Sequence, residues 1–438
     1  MSINPMPTLL KKNVLSLFVV ALLASAGGVF AAPPVSDGTY SIVIEGYDWG
    51  PAVSKVILTM DEPANSVNWK NYKVAVHRSS DCATIPANQV LGSRSVIAGY
   101  VSDAKGQRIA EGNHVTLVLA VAPNLPIGSP IQYSQAQGCR GNSWINYEMT
   151  IRDETKGKTW NEEVDRIMPI IDRFDLSGRY SDDNGITMSY ASYSPPSTSG
   201  KSPLIIWLHG GGEGGVDPSI PLIANRAANY ASDELQAIFG GAYVLVPQSP
   251  TRWMDSGQGT TRGEVDDIYF KAVKTLVEDF MAEHPNVDPN RIYVGGCSNG
   301  GYLTLKLLIE YPDFFAAAFP SALAFWATNF TDAHVNLIKD IPMWFIHSRD
   351  DTVTDPDQTV VPVYNRLKAA GAPNVHFTYY DHVVDITGFF GGDGYHYPGH
   401  WSWIYGHANT ARHDYDGSLV ELDGRAVTIM EWMAAQSK

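Results

Sequence analysis

The sequence predicts an α/β domain with a mostly parallel, helix-flanked sheet, preceded by an all-β domain. Three observations support this order. Short runs of alternating polar and apolar residues fill the first part of the chain, and from about residue 173 short apolar strands alternate with helical stretches. The length of 438 residues also favours two domains, because single hydrophobic cores stop growing at roughly 250–300 residues.

Residues 1–31 are predicted to be an export signal that is no part of the fold. Lys11 and Lys12 form a short basic region, 14–24 is apolar, and 29–31 (Val-Phe-Ala) offers small residues for cleavage. A membrane anchor is the alternative, although the apolar run is short for a span. No later segment is predicted to cross a membrane, so we expect a secreted or periplasmic protein.

The charge and the histidine spacing exclude several classes of partner. The formal net charge is −15, with 46 acidic and 31 basic residues and no basic patch among them. Such a chain disfavours nucleic acid and anionic membranes. Apart from His382, His396 and His400, the histidines are scattered and none forms an H-x-x-x-H or similar spacing typical of metal ligands, so we expect neither a metal nor a cofactor. The oligomeric state is not indicated.

Residues 32–172 are predicted to form a β-sandwich of the immunoglobulin type. Five runs have the alternation and β-branched content of strands, and no amphipathic helix interrupts them: 39–45, 54–60, 72–77, 114–121 and 144–151. Such a domain could bind a carbohydrate or another polymer. It could equally be a structural domain that caps or positions the domain that follows it.

The three cysteines are predicted to play two roles. Export makes a disulfide permissible, and Cys82 and Cys139 both lie in loop-like contexts of the first domain. We therefore expect these two to pair. Cys297 is the odd one out and is expected to be a small packed side chain.

Residues 173–438 are predicted to form the α/β domain. Five short apolar runs have the character of buried parallel strands: 203–208, 242–246, 292–295, 343–346 and 376–380. The clearest helix is predicted over 264–284, where apolar residues are spaced along one face. In such sheets the reactive groups gather at the carboxyl ends of the strands.

A possible nucleophile follows the third of these strands. Residues 296–300 (Gly-Cys-Ser-Asn-Gly) form a G-x-S-x-G pentapeptide between a strand and a helix-like run, 302–311. This pattern places Ser298 on a tight turn, where the flanking glycines avoid a clash. Because such pentapeptides also occur by chance, the prediction depends on the partners that the chain supplies.

A glycine-rich loop follows the first strand of the α/β domain. Residues 209–215 (His-Gly-Gly-Gly-Glu-Gly-Gly) allow close approach of the backbone to a substrate. A plain flexible turn or a phosphate-binding loop is the alternative, but no Lys-Ser or Lys-Thr follows. The N–H groups of Gly211 and Asn299 would complete a two-donor oxyanion hole.

An acid that could orient a catalytic histidine follows the strand 343–346. Asp350 and Asp351 both lie at this strand end. We favour Asp351 and expect Asp350 to make hydrogen bonds within the loop, while His347, which precedes them on the strand, is expected to be structural.

The base is expected last in the chain. His400 follows Pro-Gly, which can present it on a loop, and His382 and His396 are its rivals. The order Ser298, Asp351, His400 is that of the α/β-hydrolase fold and differs from the orders in chymotrypsin and subtilisin.

The chain resembles secreted α/β-hydrolases at three segments: 293–302 (Tyr-Val-Gly-Gly-Cys-Ser-Asn-Gly-Gly-Tyr), 246–250 (Val-Pro-Gln-Ser-Pro) and 399–405 (Gly-His-Trp-Ser-Trp-Ile-Tyr). They are similar to the esterase branch of feruloyl esterases and polyhydroxybutyrate-depolymerase-like enzymes. The resemblance is closest to bacterial esterases with an N-terminal immunoglobulin-like domain, also described as predicted peptidases of the prolyl oligopeptidase superfamily.

The constellation and the resemblance imply ester hydrolysis through an acyl-enzyme. A small-molecule or polymer ester is the expected substrate, and Trp253, Trp401 and Trp403 are candidate substrate contacts, unless these rings only pack the loops. Two alternatives remain. One is a serine peptidase of the prolyl oligopeptidase superfamily, and the other is a binding protein built on an inactive hydrolase scaffold.

Overall fold

Ten strands form the N-terminal all-β part of the computed structural model, which describes residues 36–136, 138–196 and 200–438. The predicted export signal, 1–31, lies outside these residues. The strands are β1 (Gly38–Tyr47), β2 (Gly50–Ala64), β3 (Tyr72–Ser79), β4 (Leu91–Arg94), β5 (Val96–Ser102), β6 (Gly112–Leu119), β7 (Ile131–Ser134), β8 (Gly141–Trp144), β9 (Asn146–Asp153) and β10 (Thr159–Ile167).

Eight of these strands are hydrogen-bonded in the order β4-β3-β9-β10-β1-β2-β6-β5, and β7 and β8 form a separate hairpin. Neighbouring strands are antiparallel except β1 and β10. The predicted strand over 144–151 is two strands, because the chain leaves the hairpin at Trp144 and enters β9 at Asn146. Because the β7–β8 hairpin is not part of the eight-stranded sheet, it can contact other parts of the molecule.

A buried arginine hydrogen-bonds to three separate segments of the N-terminal all-β part, which is called the β-domain below. Strict alternation along β3 and β9 turns apolar side chains inward. Arg94 lies among them and is satisfied by three acceptors: its guanidinium donates to Tyr147 Oη at 2.6 Å and to the carbonyl oxygens of Val53 and Ala120 at 2.8 and 2.9 Å. A buried charge is tolerated only with such partners.

The cysteines are arranged as the sequence predicts. Cys82 and Cys139 form a disulfide that links the loop after β3 to the hairpin of β7 and β8. Cys297 is a free, fully buried thiol.

The second part of the chain contains twelve strands and eight helices within the described ranges. They are β11 (Asp175–Ser181), β12 (Thr187–Tyr193), β13 (Ser202–Leu208), α1 (Ser219–Ala224), α2 (Asp233–Phe239), β14 (Tyr243–Gln248), α3 (Phe270–Glu283), β15 (Val287–Cys297), α4 (Asn299–Glu310), β16 (Ala317–Ser321), α5 (Asp332–Ile338), β17 (Met343–Ser348), α6 (Val360–Ala369), β18 (Val375–Tyr380), β19 (Val383–Val384), β20 (His396–Tyr397), α7 (Ile404–His407), β21 (Glu421–Leu422), β22 (Arg425–Ala426) and α8 (Ile429–Ala434).

The main sheet of this part has the strand order β11-β12-β14-β13-β15-β16-β17-β18. Strand β12 is antiparallel to both of its neighbours, and the six strands from β14 to β18 in this order are parallel to one another. Strands β13 and β14 are buried along their whole length, as expected for a sheet covered on both faces. This is the α/β-hydrolase architecture that the sequence predicts. None of the helices in the described residues is long and apolar enough to cross a membrane.

The helix predicted over 264–284 begins later than expected. Helix α3 starts at Phe270, because the Asp267 carboxylate accepts the N–H groups of Tyr269 and Phe270 at 2.8 Å and so ends the preceding loop. Ile268 consequently lies in the loop before the helix and is exposed. The remaining apolar face packs on the sheet as predicted.

A buried histidine makes the fold sensitive to acid. His407, at the end of α7, packs against the rings of Trp207 and Tyr230 at 4.5 and 5.2 Å, and neither of its ring nitrogens has a hydrogen-bond partner among the described residues. Burial lowers the pKa of His407 to about 3. The unfolded chain binds this proton near pH 6.5, so stability falls as the pH drops through 6.5 towards 3.

Replacing His407 with phenylalanine is expected to reduce this acid sensitivity. Between pH 7 and pH 5 the variant should lose about 2 kcal/mol less free energy of unfolding than the wild type, because one proton-binding group of the unfolded chain is gone. Urea denaturation at both pH values measures the difference. Tyr230→Phe, in the same cluster, is the control and should keep the wild-type pH dependence. An unchanged pH dependence in His407→Phe would contradict the assignment.

Candidate active site

Ser298 lies on the sharp turn between β15 and α4. Its backbone has φ 55° and ψ −113°, a conformation that a non-glycine residue adopts only under constraint. The glycines around it have no room for a side chain: a Cβ on Gly300 would overlap the carbonyl oxygen of Leu208, and one on Gly296 would lie 2.6 Å from the same atom. The pentapeptide glycines are therefore required by the close passage of β13.

Asp351 lies in the loop that follows β17. Its Oδ2 lies 2.8 Å from Nδ1 of His400 and 3.0 Å from Nε2 of His347, and it accepts a hydrogen bond from Thr354 Oγ1 at 2.7 Å. Its Oδ1 accepts the backbone N–H groups of Val353 and Thr354 at 2.8 and 3.0 Å. The carboxylate is buried and its hydrogen-bonding capacity is used on both oxygens.

Hydrogen bonding keeps this carboxylate ionised. Burial alone would raise the pKa of Asp351, but the hydrogen bonds from His347 and His400 outweigh it and hold the pKa well below its usual range. An ionised acceptor at Nδ1 favours the tautomer of His400 in which Nε2 is the basic nitrogen.

Asp350 has different partners. Its Oδ1 accepts from Ser348 Oγ at 2.7 Å, and its Oδ2 lies 2.8 Å from Nδ1 of His382. Both Asp350 and His382 are partly exposed. The structure therefore brings Asp351, and not Asp350, to His400, while His347 binds the acid from the buried side.

His400 lies in a 3₁₀ turn, Gly399–Trp401, that follows Pro398. The ring stands edge-on to Trp403 at 5.4 Å between centroids. Among the described residues, neither Nε2 of His400 nor Oγ of Ser298 has a hydrogen-bond partner. Such bonds are often long without substrate and tighten in its complex.

The two rival histidines lie apart from the acid. The rings of His382 and His396 stack at 4.3 Å, and His396 Nε2 lies 3.1 Å from the carbonyl oxygen of Asp393. Neither ring hydrogen-bonds to Asp351. Within the described ranges, no group of three or more His, Cys, Asp or Glu side chains could hold a metal ion.

The glycine-rich loop after β13 reaches the first residue of α4. A Cβ on Gly211 would lie 2.9 Å from Nδ2 of Asn299, so the Gly211 backbone is in close contact with the Asn299 side chain. The buried ring of His209 supports the loop through both nitrogens. Its Nδ1 is 2.6 Å from the carbonyl oxygen of Gly210, and its Nε2 accepts the N–H of Ser249 at 3.2 Å. Burial lowers the pKa of His209 to about 4, so the ring is neutral and can play both roles.

The three tryptophans that the sequence suggests as substrate contacts differ in exposure. Trp253 has no exposed surface and packs on His209 at 4.8 Å between ring centroids, so its expected contact with substrate is corrected to packing under the loop. Trp403 is also buried. Trp401 is half-buried, stacks on Tyr397 and remains a candidate contact.

A groove of about 710 Å³ opens beside Gly211. One wall is the hairpin of β7 and β8, including Asn142 and Trp144, and the other is formed by 214–217 and 250–252. A second cavity of about 630 Å³ is more apolar, and neither cavity is lined by Ser298, Asp351 or His400. Because Gly211 of the glycine-rich loop lines the first groove, that groove is the better candidate for a bound substrate.

The sheet, the strained serine and the acid–histidine pair define a protein of the α/β-hydrolase fold. Residues 39–165 match the family described as the esterase Ig-like N-terminal domain, and residues 251–352 match the prolyl oligopeptidase family. The first part of the chain is therefore similar to the N-terminal domain of Ig-like esterases, and a segment of the second part is similar to the prolyl oligopeptidase family.

Proteins similar to this chain include an esterase and a depolymerase. The solved structure of a thermostable esterase superposes with a TM-score of 0.72 at 23% identity, covering 91% of this chain and all of that one, which shows the shared fold. Poly(3-hydroxyalkanoate) depolymerase C of Paucimonas lemoignei is 29% identical over 138 residues. This match covers 29% of the depolymerase, so the chain spans well under two thirds of that relative.

Proposed function

We propose that this protein is a secreted serine hydrolase of carboxylic esters, with Ser298 as nucleophile, His400 as base and Asp351 as the acid that orients it. One observation carries the proposal: Asp351 Oδ2 lies 2.8 Å from His400 Nδ1 at the sheet edge where Ser298 occupies its strained turn. An acid, a histidine and a serine in this chain order are the parts of a catalytic triad.

In the proposed mechanism, Ser298 Oγ attacks the ester carbonyl while Nε2 of His400 takes its proton. The N–H groups of Gly211 and Asn299 hold the developing oxyanion, each contributing about 3 kcal/mol of barrier lowering. The alcohol leaves with the proton from His400. Water then repeats the sequence on the acyl-enzyme and releases the acid.

The proposed substrates are small, aromatic or polymer-linked esters, and the proposed location is outside the cytoplasm. The open groove beside Gly211 supports an ester with a sizeable acyl or alcohol part. The name of the depolymerase relative supports polymer-linked esters as one class to be tested. The pairing of Cys82 with Cys139 supports an oxidising compartment.

A serine peptidase is the second candidate, because residues 251–352 match the prolyl oligopeptidase family. Hydrolysis of p-nitrophenyl esters from acetyl to dodecanoyl, compared with aminoacyl p-nitroanilides at equal concentration, separates the two. We expect turnover of the esters with kcat/KM at least about 100-fold higher than for any anilide, roughly 2.7 kcal/mol of discrimination. Activity on the anilides alone would replace the esterase by a peptidase.

A further inference from the structure

Glu213, in the glycine-rich loop, is a buried acid that the proposed mechanism does not use. It is only 6% exposed, and no lysine or arginine of the described residues forms an ion pair with it. Its two oxygens accept hydrogen bonds from two amides instead: Oε1 from Nδ2 of Asn142 and Oε2 from Nδ2 of Asn225, both at 2.9 Å. Burying a carboxyl group in this way is unfavourable unless its partners are fixed.

The Glu213 carboxyl group is in contact with the turn that carries Gly211. A Cβ on Gly210 would come within 3.0 Å of Glu213 Oε2, so the two are in close contact. The Glu213 N–H donates to the carbonyl oxygen of Gly210 at 3.3 Å, and the Glu213 carbonyl accepts Nε2 of Gln248 at 2.9 Å. The backbone and the side chain of Glu213 thus both hold the same turn.

The hairpin of the β-domain contacts this turn from the other side. The N–H of Asn142, in β8, donates to the carbonyl oxygen of Gly212 at 2.6 Å, and a Cβ on Gly141 would lie 2.6 Å from that oxygen. Trp144 Nε1 donates to Ser219 Oγ at 2.9 Å and fixes the hairpin to the start of α1. Asn142 therefore reaches the loop through its backbone and, via Glu213, through its side chain.

We propose that Glu213 is a positioning residue for the oxyanion hole, holding the Gly210–Gly212 turn between Asn142 of the β-domain and Asn225 of the hydrolase domain. The proposal rests on the proposed function. It gives the β-domain a specific part in the reaction, because one of the two clamping amides comes from the hairpin of β7 and β8. Burial raises the pKa of Glu213 to about 7, and the contacts that hold the turn are hydrogen bonds.

Glu213→Ala is expected to lower kcat for p-nitrophenyl acetate by about 10- to 100-fold with KM within about twofold of wild type. The oxyanion forms only in the transition state, so a displaced donor affects kcat and leaves ground-state binding unchanged. Glu213→Gln should restore kcat to within about threefold. Its amide can accept a hydrogen bond from one asparagine and donate one to the side-chain oxygen of the other. Asn142→Ala should lower kcat by about 3- to 10-fold, and its effect should nearly vanish in the Glu213→Ala background.

Asp153→Ala is the matched control. Asp153 is a buried carboxyl of the β-domain whose side chain accepts hydrogen bonds from Thr155 and Lys156 of the same domain. The Asp153→Ala substitution should lower the melting temperature and leave kcat unchanged. Wild-type kcat in Glu213→Ala, or a loss that Gln does not restore, would overturn the positioning role. If Glu213→Ala does not fold, full activity of Asn142→Ala would overturn it. An inactive wild type would overturn the proposed function itself.

Discussion

Replacing Ser298 with alanine is expected to lower kcat on a p-nitrophenyl ester by on the order of 10⁵-fold or more. The hydroxyl is the proposed attacking group, and water must replace it in the variant. The fold should remain, because the Ser298 side chain makes no capping hydrogen bond to α4 and its loss leaves no N–H of that helix unsatisfied. Steady-state kinetics, together with a thermal melt of both proteins, measures the effect.

Cys297→Ala is the matched control for this variant. Cys297 is the neighbouring side chain, fully buried, and its Sγ lies 3.4 Å from Nδ2 of Asn225. Burial raises the pKa of this thiol well above its usual value, so it remains a neutral packed group. The control should keep kcat within a few-fold. More than about 1% of wild-type turnover in Ser298→Ala, or abolished turnover in Cys297→Ala, would contradict the proposed nucleophile.

Asp351→Asn is expected to lower kcat by about 10⁴-fold. The donors from His347, Thr354 and His400 converge on the carboxylate of Asp351. All three bind Oδ2, and the backbone N–H groups of Val353 and Thr354 bind Oδ1, so the N–H₂ group of an amide would face hydrogen-bond donors in either orientation. His400 would then lose the charge that stabilises its imidazolium and the acceptor that fixes its tautomer.

Asp350→Asn tests the choice between the two aspartates under the same conditions. Asp350 immediately precedes Asp351 in the chain, but its carboxylate binds Ser348 and the partly exposed His382. This variant should keep kcat within a few-fold. Equal losses in the two variants would leave Asp351 without a distinct role, and a larger loss in Asp350→Asn would reverse the assignment.

Local sequence pattern predicted the continuously apolar strands of the main sheet better than it predicted the strands and helices beside them. Apolar runs such as 343–346 were recognised because a buried parallel strand is apolar along its whole length. The central strand β16 was not predicted, since Ala317–Ser321 is rich in alanine, which has low β-propensity and is selected here by close packing. The late start of α3 depends on the single carboxylate of Asp267.

The site was predictable where its chemistry is local. The turn around Ser298 and the loop that carries Gly211 each follow a strand, and short motifs describe them. The choice of Asp351 depends on a contact with His400, 49 residues later, which spacing alone does not determine. The burial of Trp253 and the contact of Glu213 with Asn142, 71 residues earlier, are properties of the assembled fold.

Covalent labelling tests the proposed triad most directly. The wild-type protein is treated with a fluorophosphonate, its intact mass is measured, and the modified peptide is mapped. We expect one adduct, on Ser298, that is absent from Ser298→Ala, forms slowly in Asp351→Asn and forms at the wild-type rate in Asp350→Asn. An unlabelled wild type, or an adduct on any other residue, would contradict the account.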